Sequence, residues 1–169
     1  MNTFLIGDMP GFTPHIARLV GMMNYVRNTT FQAVRGLSPQ QLDHLHDLSS
    51  NSIGALLLHI AAVEYAYQCI TFEKRDLNEE ENSRWGTALD LGDAARHEIK
   101  GHPLEHYTSM LDEVRSRTLI ELAKRKDEWL YEQAKWGTGI ANNYFMWFHV
   151  FEDELSHRGQ MRWLRKRLP

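Results

Sequence analysis

His59 stands inside Ile53–Val63 (IGALLLHIAAV), a run with no other polar side chain. Nearer the C-terminus, His149, Asp153 and His157 recur every four residues in HVFEDELSHRGQ. On an α-helix a spacing of four places side chains on one face, about 6 Å apart along the axis. A histidine from one helix meeting an Asp/His pair from another is how metal sites are built between packed helices. Such a site needs neutral imidazoles and ionised carboxylates converging from rigid elements. The ends of the 149–157 stripe are about 12 Å apart, too far for one ion to touch all three. The ligands from it are therefore Asp153 with His157, or His149 with Asp153, joined by His59. Two histidines and one carboxylate leave positions open for water or substrate, as catalytic sites do. The competing reading makes His59 a hydrogen-bonded core histidine and pairs Asp153 with Arg158 or a neighbouring helix.

Four long helical segments must position these groups. Thr13-Pro14 has the form of an N-cap followed by proline at the first helical position, and predicts a helix to about Arg35, ahead of Gly36. Ser38-Pro39-Gln40-Gln41 opens one short turn. The second long helix starts near Asn51 or Ser52 and reaches about Lys74. It is apolar on every side of His59, the mark of a buried helix. An imidazole there needs a hydrogen bond or a metal, because burial without a partner costs a few kcal/mol. The third helix follows Pro103, from Leu104 to about Lys126, and the fourth runs from about Asn142 to Arg167, after a short link at Trp136-Gly137-Thr138-Gly139. Residues 76–101 are polar and contain glycine. They read as a long connection of the kind that forms lids, with Trp85 shielding a pocket or anchoring the loop. The expected fold is all-α: one domain over residues 1–169, a four-helix bundle with long first and second connections.

Other features carry less chemistry. His102 and His106 are four apart, but His102 precedes Pro103, which biases it out of the helix. His44 and His46 lie in a polar connection, and His15 and His97 stand alone. Glu152 and Glu154 fall off the 149–157 stripe and are expected to face solvent or support the ligands. Gly159 should permit close helix approach. The Phe and Trp residues of helix four read as core, or as a dimer face. Cys69 is the only cysteine, which rules out an intrachain disulfide and suits a buried small hydrophobe in a reducing compartment.

The 169 residues are 43% hydrophobic and 24% charged, ordinary values for a globular chain, with a net charge of −3. That charge argues against nucleic acid as partner. The basic stretch Arg162–Arg167 suits a helix C-terminus. The N-terminal MNTFLIGDMPGF lacks the form of a signal peptide. No uninterrupted apolar run approaches the ~20 residues of a membrane span. A cytoplasmic location is expected.

DELSHRGQ at Asp153–Gln160 resembles the helix-four signature of DinB-like proteins, usually closer to HExxHRGQ, and LLLHIAAVEY at Leu56–Tyr65 resembles their helix-two segment. The resemblance implies that His59 is the first metal ligand and His157 the last. Asp153 stands where the family usually has histidine, and His149 becomes an alternative ligand or a supporting group. It further implies an up-and-down four-helix bundle, a homodimer and a divalent metal, commonly nickel, zinc or iron. Some relatives are thiol transferases using low-molecular-weight thiols. The leading expectation is thus a metal-dependent thiol S-transferase acting on a small electrophile, with His149 handling the proton. The alternatives are a metal-dependent hydrolase, and a non-catalytic stress protein that binds metal or ligand.

Overall fold

A computed structural model describes residues 4–169; Met1–Thr3, at the start of the N-terminal segment read above, lie outside the described residues. The chain is mostly helical, with α1 (Pro14–Val34), α2 (Pro39–Asp43), α3 (Ile53–Gln68), α4 (Glu79–Asp90), α5 (Gly92–Glu98), α6 (Leu104–Ala123) and α7 (Asn143–Arg165). A hairpin of β1 (Gln133–Trp136) and β2 (Gly139–Asn142) precedes α7.

The helix starts follow local chemistry. Ser38 and Asn78 form capping boxes with Gln41 and Glu81, and Ser52 and Asn142 accept from the backbone amides of Ala55 and Phe145. Thr13 is different. Its side chain does not cap α1; the hydroxyl donates instead to Asp127, whose carboxylate accepts from the amides of His15 and Ile16. A distant acid therefore caps α1. Helix α3 continues through a π-helical turn, Cys69–Glu73, and stops at Lys74, which is left-handed at φ 56°. Ile53–Glu73 is long and apolar enough to cross a membrane, although it holds no unbroken apolar run of that length. Within this fold 72% of its most apolar window is buried, as in a core helix.

Residues 76–101 depart from the expected connection. They fold into α4 and α5, and Trp85 of α4 is buried, its ring stacked 5.2 Å from Tyr65. The expected link at 136–139 is the tip of the hairpin. Trp136 pairs with Gly139, and Gly137 has the positive φ (+56°) that the first residue of a two-residue turn needs.

Two apolar clusters form the core. One gathers Leu56, Leu57, Ile60, Trp85, Tyr107 and Leu111. The other gathers Ile16, Leu19, Met23, Trp129, Trp147 and Val150. Each long helix passes from one cluster to the other, and at the crossing each contributes one buried charge: Arg27, Glu64, Arg115 and Glu154. Arg27 donates to Glu64 at 2.8 Å and to Glu154 at 3.0 Å, and Arg115 donates to Glu64 at 2.7 Å. Glu154, expected off the core, is fully buried in this quartet.

The contacts also fix direction. Gly54 meets Tyr107 and Gln68 meets Thr118, so α3 and α6 run the same way. Arg27 meets Glu154 and Ala33 meets Arg165, so α1 and α7 do too. Tyr67 meets His149 whereas His59 meets His157, so α3 opposes α7. The expected up-and-down order is therefore replaced by two parallel pairs. The reason is the segment between α3 and α6: built into α4 and α5, it is long enough to return the chain to its starting end.

Candidate metal centre

Helix α3 is held in register by its packing on α6 and α7, and it delivers His59 to the face of α7 that carries the four-residue stripe. Asp153 Oδ1 lies 3.3 Å from His157 Nε2, and its Oδ2 lies 3.6 Å from His59 Nε2. The two imidazoles meet edge to face, with centroids 4.7 Å apart. One ligand atom from each of the three residues lies within 4.8 Å of the others.

The remaining ring nitrogen of His59 sets its tautomer. Nδ1 is 2.8 Å from the carbonyl oxygen of Ala88 on α4. A carbonyl only accepts, so Nδ1 carries the hydrogen, and in the neutral ring Nε2, on the side of Asp153, holds the lone pair. Metal-ligating histidines are oriented in this way by a carbonyl behind the ring. Sequence reasoning missed this partner because a backbone oxygen leaves no side-chain signal.

Electrostatics favour an ionised carboxylate. Burial opposes the charge of Asp153, but His157 and His59 outweigh it and hold the carboxyl far below its usual range. Burial also opposes protonation of His59; Asp153 and the Ala88 carbonyl overcome it and raise the imidazole's pKa. Asp153 Oδ2 and His157 Nδ1 are buried without a hydrogen-bond partner among the described residues.

These observations test whether a cation fits. Two ligands each about 2.1 Å from one ion are separated by about 3.4 Å at a tetrahedral angle. The gaps from Oδ1 to His157, 3.3 Å, and from Oδ2 to His59, 3.6 Å, lie near that value and exceed ordinary hydrogen-bond lengths, and one ligand atom from each residue falls within 4.8 Å of the others. An unpartnered carboxylate oxygen and two neutral-capable imidazoles make a donor set suited to a divalent first-row ion. The residues fit.

His149 lies one turn before Asp153, outside the trio. Its ring sits among those of Tyr67, Trp136 and Phe145, with centroids 6.0, 5.7 and 6.1 Å away, and Nδ1 is 3.8 Å from the exposed Glu152. Of the expected alternatives for Asp153, Arg158 is not its partner; that guanidinium donates to Thr29. Gly159 has open space where a Cβ would stand, so it does not mediate close helix approach. His102 and His106 stack face to face at 4.0 Å, away from the trio. Cys69 is buried and its thiol pushed up, chiefly by that burial.

The fold is that of a mostly helical protein, and the match of residues 18–169 to a DinB-like family sets its class. More particularly, residues 18–169 match the mycothiol-S-transferase family, and the chain belongs to it. In structure it is similar to a conserved protein from Enterococcus faecalis, with a TM-score of 0.70 at 15% identity, over 89% of this chain and 94% of that one. None of the curated proteins matches.

Proposed function

We propose that this chain is a divalent-metal-dependent thiol S-transferase, with a nickel, zinc or iron ion held by His59, Asp153 and His157 in a four-helix bundle. One observation carries the reading: His59 Nε2, freed by the Ala88 carbonyl, converges with a partnerless Asp153 oxygen and with His157. The family's name makes mycothiol the first thiol to test. When bound, the ion supplies a Lewis acid that lowers the pKa of a coordinated thiol.

The chain's own residues do the rest. Asp153 stays ionised and balances the cation. His59 and His157 hold their rings fixed, one through α4 and the other one turn along α7 from Asp153. His149, one turn from Asp153 in the other direction, takes the thiol proton and passes it to water. The sulfur forms a bond to the electrophilic carbon as that carbon's bond to its leaving group breaks, and the leaving group departs with the electron pair. We further read the protein as a cytoplasmic homodimer, its shared face including the exposed Phe148 and Leu155 of α7.

The test is conjugation of mycothiol to 1-chloro-2,4-dinitrobenzene by protein reloaded with nickel, zinc or iron. Turnover that requires both metal and thiol, and disappears in His59→Ala, is expected. Loaded protein that conjugates no thiol to any electrophile overturns the reading.

A further inference from the structure

The walls beside the trio differ in character. Along α7, Phe145 and His149 lead toward Asp153 at one-turn intervals. Facing them, Tyr67 of α3 receives a hydrogen bond at its hydroxyl from Trp136 Nε1, at 2.9 Å. That bond ties the hairpin to the core helix carrying His59. Trp136 lies edge-on to Phe145 at 5.1 Å and to His149 at 5.7 Å. Both Trp136 and Phe145 remain more than a third exposed, at 38% and 40%. They border a cavity of about 420 Å³, lined also by Ile140, Ala141, Gln133 and Asn142, which holds no ionisable side chain and none of the trio, and meets the site through the contacts of Trp136 with Tyr67 and His149. Tyr67 is close enough to Asp153 for the carboxylate to oppose its ionisation, alongside the larger effect of burial.

Resting on the transferase reading, we infer that the hairpin is the specificity wall of the site, and that Trp136, held by Tyr67, selects electrophiles bearing an uncharged aromatic ring. Low-molecular-weight thiols are polar and meet only the Gln133 and Asn142 amides there, with no charged partner; a flat ring stacks on Trp136 and Phe145. Trp136 sits against His149, which is one turn, about 6 Å along α7, from Asp153. In the reaction with 1-chloro-2,4-dinitrobenzene the thiolate sulfur bonds to the ring carbon, chloride leaves with the electron pair, and the thiol proton goes to His149.

The experiment compares wild-type, Trp136→Ala, Trp136→Phe and Tyr67→Phe proteins, all metal-loaded. Binding of the unreactive 2,4-dinitroaniline is measured by equilibrium dialysis, and KM and kcat for 1-chloro-2,4-dinitrobenzene are measured beside it. The expected result is at least tenfold weaker binding and higher KM in Trp136→Ala, near-complete retention in Trp136→Phe, and an intermediate loss in Tyr67→Phe, with metal content unchanged. Wild-type protein that binds the probe but performs no transfer, with binding lost in Trp136→Ala, upholds the wall and sinks only the transferase reading. Transfer or binding indifferent to Trp136→Ala overturns the wall and leaves the transferase reading standing, as does a wild type that turns over the substrate without measurable affinity for the aromatic probe.

Discussion

The carbonyl oxygen of Ala88 lies 2.8 Å from Nδ1 of His59, so a helix in the middle of the chain orients a ligand in the core. It also explains why α4 matters to the site: Trp85, three residues before Ala88, is buried against Tyr65 and anchors the helix that supplies this oxygen. Replacing Trp85 by alanine removes that anchor. Divalent-metal affinity, measured by competition with a chelating dye, is expected to fall by about 10- to 100-fold, the usual effect of losing a ligand's supporting partner. His59, Asp153 and His157 would be intact.

The charged quartet is the second dependency of the site. Glu154 neighbours Asp153 on α7 and is clamped by Arg27 and, at 3.6 Å, by Arg115. That clamp sets the rotation of α7 and hence the direction of Asp153. Removing one member leaves buried charge uncompensated, which costs about 3–5 kcal/mol. Arg27→Met should lower stability by that amount in urea unfolding, whereas Arg18→Met, at an exposed pair with Asp8, should change it by less than about 1 kcal/mol.

Acid should unfold the protein through Glu64. Burial would raise its pKa, but Arg115 and Arg27 prevail and hold it at about 2, against 4.5 for a free glutamate. A depressed folded-state pKa gives stability that is present above 4.5 and lost as pH falls toward 2. Unfolding free energy should therefore decline across that window. Glu64→Gln should be less stable at neutral pH and show a flatter decline, measured by urea titration at successive pH values.

Two glycines should respond oppositely to alanine. A Cβ on Gly54 would lie 2.8 Å from the buried Tyr107 hydroxyl, forcing α3 and α6 apart at a cost of about 1–3 kcal/mol. At Gly159 a Cβ meets nothing, and the helix gains up to about 1 kcal/mol from the better helix former. Thermal unfolding of the two variants checks both signs.

Much of this was legible in the sequence, for identifiable reasons. Periodicity and the prolines at Pro14 and Pro103 marked the four long helices to within a few residues, because helical spacing and proline act locally. The cap of α1, however, comes from Asp127 and not from Thr13. Four-residue spacing put His149, Asp153 and His157 on one helix face without choosing among them; the resemblance to DinB-like proteins selected His59, Asp153 and His157, whose ligand atoms the fold brings within 4.8 Å. Less was visible where the deciding contact is distant or carried by backbone. The polar surface of α4 and α5 hid their helical content, although Asn78 and Glu81 spell a capping box. The hairpin's only signal was a Gly-Thr pair between short runs. Glu154 read as peripheral because nothing local announces that Arg27 and Arg115 arrive from other helices. Helix direction depended on how far the 76–101 segment carries the chain, which composition does not encode.

The most direct measurement is elemental analysis of untagged protein purified without chelator or metal-affinity resin, beside Asp153→Ala prepared identically. Near-stoichiometric nickel, zinc or iron in the wild type, lost in the variant while the helical circular dichroism is kept, is the expected result. Wild-type protein that carries no divalent metal and takes up none on titration, or metal retained in full by Asp153→Ala, would contradict the assignment of His59, Asp153 and His157 as the metal centre.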